Sequence, residues 1–266
     1  MSRLRARAAA LLLGALGLCA PARAAEPLAP NELGRVMILE YHRIGEPEDR
    51  WTRTPANFRR DLETLYARGY RLQGLNDLVD GRITVPAGTT PVVLTFDDSS
   101  PGQFRYVERN GQVVIDPDCA VAILEAFAAR HPDFGRAATF FVLPAADPPN
   151  RLFNQPEHVE KKLQYLVSRG FEIGNHTLWH ANLGKYPEKV VRTQVAQAED
   201  WIHKYVPAYR LRTLALPHGV YPRDLGWVFT FHGPTFGYGA LDDEHVADHE
   251  DVPAELREQR ALATVA

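Results

Sequence analysis

The chain has 266 residues, 45% of them hydrophobic, and a formal net charge of -3. This length and apolar content suit one sizeable core, so we expect a single domain. The sequence has no basic stripe or run of the kind that nucleic-acid binding requires, so we expect no nucleic-acid partner.

The first 24 residues are predicted to be a signal peptide. Arginines precede the apolar run 8–20, which is too short to span a bilayer, and small residues at 22–24 suit a cleavage site. Cleavage would remove four arginines and no acid, so the net charge would fall from -3 to -7. We expect an exported protein, periplasmic or extracellular, with no transmembrane segment after signal removal. A lipoprotein anchor on Cys19 is the weaker alternative, because the bulky Leu18 precedes it.

Strand and helix patterns alternate along the rest of the chain. Predicted strands cover 35–42, 70–74, 92–96, 137–143, 171–175 and 211–216. Predicted helices cover 54–69, 116–130, 156–169 and 187–205. In the first helix Thr54 can cap the start, Pro55 suits the first turn and Gly69 can form the end. Alternating strands and helices predict a mostly parallel α/β sheet, closed as a barrel or open and doubly wound.

Polar residues gather at the carboxyl ends of the predicted strands. They are Glu40, His42, Asp97, Asp98, His176 and His218. Two adjacent carboxylates after a buried strand are either a solvated turn or a site in which a cation holds one of them. Alternating α/β folds place their sites at this edge, because the loops that leave it converge. We therefore favour a functional site at Asp97 and Asp98.

His176 and His180 are four residues apart, so on a helical turn both imidazoles would face one way. Together with one carboxylate they would form a three-ligand site with a position open for water. Two ordinary surface histidines are the alternative. The pattern is not that of a zinc protease, because Thr177 stands where such enzymes carry a glutamate. One aspartate would complete the ligands, which leaves its neighbour free to act as a general base.

Three motifs resemble those of the polysaccharide deacetylase family, the metal-dependent carbohydrate esterases with a NodB-like domain. They are T-F-D-D at 95–98, N-H-T-x-x-H at 175–180 and A-L-P-x-G at 215–219. The stretches 37–44 and 57–72 are also similar to the start of the exported poly-N-acetylglucosamine deacetylase branch. The resemblance covers roughly residues 35–222. We expect a catalytic domain over 25–222 and a divergent, acidic C-terminal segment over 223–266.

The resemblance implies a fold and a set of roles. The fold would be a distorted (β/α) barrel with fewer than eight regular strands, divergent or incomplete at its C-terminal end. Asp97 would be the general base. Asp98, His176 and His180 would hold a divalent metal, usually zinc in such enzymes. The backbone N–H of His218 would help to stabilise the oxyanion that forms at the acetyl carbonyl.

The activity that the resemblance implies is removal of acetyl groups from N-acetylglucosamine units of a polysaccharide, an oligosaccharide or a cell-wall glycan. Ser99 and Ser100 follow the aspartates where the family often has glycine. Ala215 replaces the arginine that normally orients the base, so Asp97 needs another partner, and Arg212 is nearby in sequence. One alternative is a degenerate, non-catalytic member that binds metal or glycan. Another is an O-deacetylase of acetylated xylan-like polymers.

The general acid stays unassigned from sequence. The family's last strand carries a leucine-x-histidine motif, and no convincing copy follows Pro222, although 227–232 is a plausible strand. His42 is expected either to line the site or to hydrogen-bond to the backbone at a strand end. Trp179 is expected either to pack and fix its loop or to stack on a sugar ring.

Overall fold

The computed structural model describes residues 36–229, in which strands and helices alternate as the sequence predicts. The strands are β1 (Met37–Tyr41), β2 (Arg43–Ile44), β3 (Thr52–Arg53), β4 (Tyr70–Leu72), β5 (Thr90–Phe96), β6 (Tyr106–Arg109), β7 (Gln112–Ile115), β8 (Thr139–Val142) and β9 (Glu172–Asn175). The helices are α1 (Pro55–Ala67), α2 (Leu75–Val79), α3 (Ala120–Arg130), α4 (Val159–Ser168), α5 (Glu188–Tyr205) and α6 (Gly226–Phe229).

Five of these strands form a parallel central sheet. β1 pairs with β5, β5 with β8 and β8 with β9, while β4 pairs with the first residues of β5. The predicted strand 211–216 contributes only one parallel bridge, between Leu214 and Asn175. The α/β prediction with a parallel sheet is confirmed. Among the strand pairings of residues 36–229, none joins the two edges of the sheet into a closed barrel.

The two faces of the sheet carry different side chains, because successive residues of a strand point to opposite sides. In β5, Val92 and Leu94 join the main apolar core, whereas Val93 belongs to a smaller cluster on the other face. Asp97 lies four positions after Val93, an even number, so the alternation of the strand places both side chains on the same face, that of the smaller cluster. The candidate site therefore lies above a small apolar layer.

Close packing in this layer requires a glycine in β9. A Cβ atom on Gly174 would lie 2.3 Å from the ring of Phe141. Real Cβ atoms do not approach other atoms this closely, so Phe141 fills the space that a side chain at 174 would need. The packing of the layer directly before His176 thus depends on Gly174 and the ring of Phe141.

The predicted ends of the first helix are confirmed. The hydroxyl of Thr54 accepts a hydrogen bond from the backbone N–H of Asn57 at 3.2 Å, Pro55 begins α1, and Gly69 adopts φ +85°. Two local features differ from the sequence analysis. The structure has a hairpin of β6 and β7 that the sequence pattern does not indicate. The plausible strand at 227–232 is wrong over its described part, because Gly226–Phe229 is helical.

Several predictions fall on residues that the structure does not describe. The signal peptide 1–24 with Cys19, and residues 230–266 of the predicted acidic segment, lie outside the described residues. Within residues 36–229, none of the helices combines the length and the apolar character needed to cross a bilayer.

Candidate active site

A cleft of about 610 Å³ opens where the polar strand ends meet. Every site residue predicted from the sequence lines it: Asp97, Asp98, His176, His180 and His218. Glu40, His42 and Trp51 line it as well. The convergence follows from the register, which pairs Tyr41 of β1 with Phe96 of β5, so that the residues after both strands leave the sheet together.

Asp98, His176 and His180 present their ligand atoms to one another. Oδ1 of Asp98 lies 3.4 Å from Nε2 of His176 and 3.3 Å from Nε2 of His180. The three ligand atoms all lie within 4.8 Å of each other. Oδ1 of Asp98 is buried and has no hydrogen-bond partner among the described residues. An unpartnered buried carboxylate oxygen beside two imidazole nitrogens fits a divalent cation with nitrogen and oxygen ligands.

The orientation of His176 also suits a metal ligand. Its Nδ1 lies 3.0 Å from the carbonyl oxygen of Ala215, a position from which an Nδ1–H donates to that oxygen. Such an outer hydrogen bond selects the tautomer whose Nε2 carries a lone pair. That lone pair is then available to a cation on the Asp98 side.

The charges within this group favour the ligand forms of Asp98 and His180. Burial raises the pKa of Asp98, but the close approach of the His176 and His180 imidazoles, which favours the carboxylate over the acid, outweighs burial and lowers the pKa to about 2. Burial and the charge of His176 lower the pKa of His180 to about 4. Near neutral pH, Asp98 is therefore ionised and His180 is neutral, as metal ligands must be.

The loop from His176 to His180 is not the helical turn that the spacing predicts. Thr177 and His180 have positive φ angles, 68° and 64°, so the two imidazoles converge through a left-handed loop. The backbone N–H of Thr177 donates to Oδ1 of Asn175 at 2.8 Å, and the N–H of Ala181 donates to the Thr177 hydroxyl at 3.2 Å. The conformation is thus held by the polar residues of the motif itself.

Trp179 does not fix this loop by burial, since its side chain is 44% exposed. The backbone N–H of Trp179 donates to Oε1 of Gln194 on α5, which ties the loop to that helix. The exposure disfavours the packing interpretation. Stacking of the indole on a sugar stays a prediction.

Asp97 is buried beside the predicted metal ligands. Its Oδ2 lies 3.7 Å from Nε2 of His176. Burial raises the pKa of Asp97, whereas the charges of His176 and His42 lower it, and the net pKa is above the ordinary value. Arg212 does not supply the missing partner, because its Nη1 donates to Oδ2 of Asp80 at 2.8 Å. Among the described residues no arginine pairs with Asp97.

His42 faces a carboxylate in the cleft. Its Nδ1 lies 3.1 Å from Oε1 of Glu40, and its ring centroid lies 4.8 Å from that of Trp51. Burial, followed by the charges of Asp97 and Asp98, raises the pKa of Glu40 well above its usual value. Of the two interpretations of His42, the structure favours the one in which it lines the site.

His218 lies across the cleft, with its ring 4.4 Å from that of His180. Its backbone is left-handed, with φ 62°. The hydrogen bonds of its turn come from the N–H groups of Gly219 and Val220. Within the described part of the chain, no backbone carbonyl accepts from the N–H of His218, which is therefore available to a ligand.

Left-handed backbone is concentrated around the cleft. Among the described residues, the non-glycine positions with positive φ are Asp98, Ser99, Asn110, Leu152, Phe153, Asn154, Thr177, His180 and His218. All but Asn110 belong to the site or to the segment 152–154, whose Phe153 N–H donates to the carbonyl of Ser99 at 2.8 Å. Such conformations are costly and cluster at functional sites.

The family model for polysaccharide deacetylases matches residues 84–237. A chitooligosaccharide deacetylase of Bradyrhizobium sp. (strain ANU 289) is 27% identical over 139 residues, which cover 52% of this chain and 51% of that protein. The chain thus spans about half the length of this curated relative.

Solved structures show a similar fold at low identity. The deacetylase PplD of Streptococcus pyogenes, in complex with acetate, matches with a TM-score of 0.55 and 20% identity, over 73% of this chain and 78% of that one. IcaB from Ammonifex degensii matches with a TM-score of 0.52 and 16% identity, over 84% of this chain and 94% of that one. At these identities the likeness supports the fold alone.

Proposed function

We propose that this chain, which belongs to the polysaccharide deacetylase family, is a metal-dependent hydrolase that removes acetyl groups from N-acetylglucosamine units of a polysaccharide or oligosaccharide. The observation that carries the proposal is the convergence of Asp98, His176 and His180, with Asp97 buried beside them. A named relative that deacetylates chitooligosaccharides supports this substrate class.

Asp98, His176 and His180 would hold the cation, and their one oxygen and two nitrogen donors suit zinc. When bound, such an ion supplies Lewis-acid polarisation of the acetyl carbonyl and a lowered pKa for the attacking water. Asp97 would accept the proton of that water as general base, because its carboxylate is next to the ligands without being needed as one. The N–H of His218 would donate to the developing oxyanion.

We assign the general acid to His42. Oε1 of Glu40 lies 3.1 Å from Nδ1 and covers that side of the ring, so Nε2 is the nitrogen left to exchange a proton with the substrate. His42 and Asp97 follow neighbouring strands, so a scissile amide between them can receive a proton on its nitrogen while water loses one. This arrangement needs no histidine from the C-terminal segment.

Replacing His42 with glutamine is expected to lower kcat by about 10²-fold or more, since proton transfer by a positioned side chain contributes about 10²–10⁴-fold. The metal content of the protein should not change, because His42 is not one of the proposed ligands. Both are measured on purified protein, as acetate release and as bound zinc. His158→Gln, which removes a surface imidazole beside Glu157, is the matched control. An unchanged kcat in His42→Gln would exclude the general-acid role.

The activity itself is tested by acetate release from N-acetylglucosamine oligomers. A chelator is expected to reduce release to the background rate, and added zinc should restore it, because removal of the cation leaves the ligand set without its Lewis acid. Acetylated xylan, assayed in parallel, separates N- from O-deacetylation. Release that continues at full rate after chelation and dialysis would contradict metal dependence.

A non-catalytic member that binds metal or glycan is the second candidate. The observation that favours it is the absence of an arginine partner for Asp97 among the described residues, since Arg212, the arginine nearest to Ala215 in sequence, is engaged by Asp80. Such a protein would bind zinc and N-acetylated oligosaccharide without releasing acetate under any metal condition. Measurable turnover by the zinc-loaded chain rules it out.

A further inference from the structure

We propose that Gln103 is a positioning residue whose side-chain amide joins the ends of β1 and β5 and so sets the distance between His42 and Asp97. The proposal rests on the proposed function, which makes these two residues the acid and the base. Gln103 would contact neither substrate nor metal, and it would act through the backbone carbonyls of His42 and Asp97.

The contacts of Gln103 support this role directly. The residue is completely buried. Its Nε2 donates to the carbonyl oxygen of His42 at 2.5 Å and also to the carbonyl oxygen of Asp97. Both acceptors are carbonyls, and only the NH₂ group of a glutamine can donate, so the network fixes which way the amide points. Its two N–H groups thus donate to one carbonyl each, after β1 and after β5.

The hydrogen bonds of the sheet do not extend to the carbonyls of His42 and Asp97. The parallel pairing of β1 with β5 ends at Tyr41 and Phe96, and the last bond between them runs from the N–H of Asp97 to the carbonyl of Tyr41 at 2.9 Å. Backbone carbonyls beyond the last pair lose their partners and need other donors when they are buried. Gln103 supplies those donors at the two positions that carry the proposed acid and base.

The loop that presents Gln103 is held against β1 and its continuation. The hydroxyl of Ser100 donates to the carbonyl of His42 at 3.1 Å, and the N–H of Gln103 donates to the carbonyl of Ser100 at 3.0 Å. A Cβ on Gly102 would lie 1.7 Å from the carbonyl oxygen of Ile44, so glycine alone permits this contact. Ser100 and Gln103 therefore act on the same carbonyl.

Gln73 offers a matched comparison away from the cleft. It is also completely buried, and its Nε2 donates to the carbonyls of Gly74 and Arg82, both at 3.1 Å. Gln73 follows β4, and it is not among the residues that line the cleft. Methionine at either position removes an amide that binds two backbone carbonyls, and at 73 it also removes the acceptor of the Thr84 backbone N–H, at 2.8 Å. Only at 103 do those carbonyls belong to His42 and Asp97.

The experiment compares Gln103→Met, Gln73→Met and the wild type, all loaded with zinc. We expect Gln103→Met to lower kcat by about tenfold or more with KM and zinc content nearly unchanged, since small displacements of reacting groups cost up to about 10²-fold. Gln73→Met should keep the wild-type kcat even where its Tm falls equally. A folded Gln103→Met with wild-type kcat overturns the proposal, as does an equal loss of kcat in both variants.

A milder variant keeps the test decisive if Gln103→Met does not fold. Gln103→Asn keeps the amide but shortens the side chain by one methylene, so that its NH₂ group cannot reach both carbonyls. A severalfold fall in its kcat with zinc content unchanged supports the positioning role, and a wild-type kcat in this variant overturns it.

Failure of the proposed function is distinguishable from failure of this proposal. If the wild type releases no acetate, the deacetylase proposal fails, and the NMR signal of the His42 ring then reports on positioning. A shift of that signal in Gln103→Met, with the His158 signal unchanged as reference, supports the role of Gln103. An unmoved His42 signal overturns it.

Discussion

Replacing Asp97 with asparagine is expected to lower kcat by about 10²–10⁴-fold, with the zinc content of the zinc-loaded protein unchanged. The amide has the shape of the carboxylate but cannot take a proton from water. The oxygen placed between the two histidines belongs to Asp98, so the ligand set stays complete. Acetate release and zinc content, measured on the same preparation, separate the loss of the base from the loss of the metal.

The pH dependence gives this prediction a second measurement. A general base works in its ionised form, and burial raises the pKa of Asp97 although His176 and His42 oppose the rise. Wild-type kcat should therefore be low below that pKa and increase as the pH rises through it. The residual activity of Asp97→Asn should lack this acid limb. Asp118→Asn, at an exposed carboxylate paired with Arg59, is the control. Wild-type kcat in Asp97→Asn would refute the assignment of the base.

Replacing His176 with alanine is expected to abolish zinc binding and reduce acetate release to background. His176 is one of only three proposed ligands, and a catalytic metal site with two remaining protein ligands is strongly weakened. The substitution also leaves Oδ1 of Asp98 buried with a single imidazole beside it, His180. Titration of the metal-free protein with zinc measures the loss directly. Asp98→Ala should behave in the same way.

The comparison with Asp97→Asn makes this result specific. One variant should keep zinc without turnover, and the other should lose both. His203→Ala serves as the control, since this histidine bonds the carbonyl of Tyr209 and is distant in sequence from the ligands. If His176→Ala still binds zinc with wild-type affinity and stoichiometry, the ligand assignment is wrong.

Much of the site could be predicted from sequence because it depends on local pattern. Val92, Val93 and Leu94 mark a buried strand, and the period of that strand fixes the face on which Asp97 emerges. The parallel order of alternating units then brings the ends of separate strands to one edge. Neither inference needs a particular loop conformation, which is why both agree with the structure.

Features that depend on loop conformation could not be predicted in the same way. The spacing of His176 and His180 suggested a helical turn, whereas two left-handed residues produce the same convergence. Arg212 is close to Ala215 in sequence, yet it pairs with Asp80, 132 positions away. Gln103 lies 61 positions from His42, and no local pattern shows that its amide will meet that carbonyl. Side-chain partners at such separations are set by the folded chain.

The left-handed residues around the cleft have a thermodynamic consequence. Each such residue costs roughly 1–2 kcal/mol relative to ordinary backbone, and two of the three proposed ligands, Asp98 and His180, have this conformation. A cation that binds only the assembled ligands would offset part of that cost by mass action. The ion would then stabilise the folded protein as well as serve as a catalytic cofactor. The population of native protein and the occupancy of the cleft would rise together as free cation is supplied.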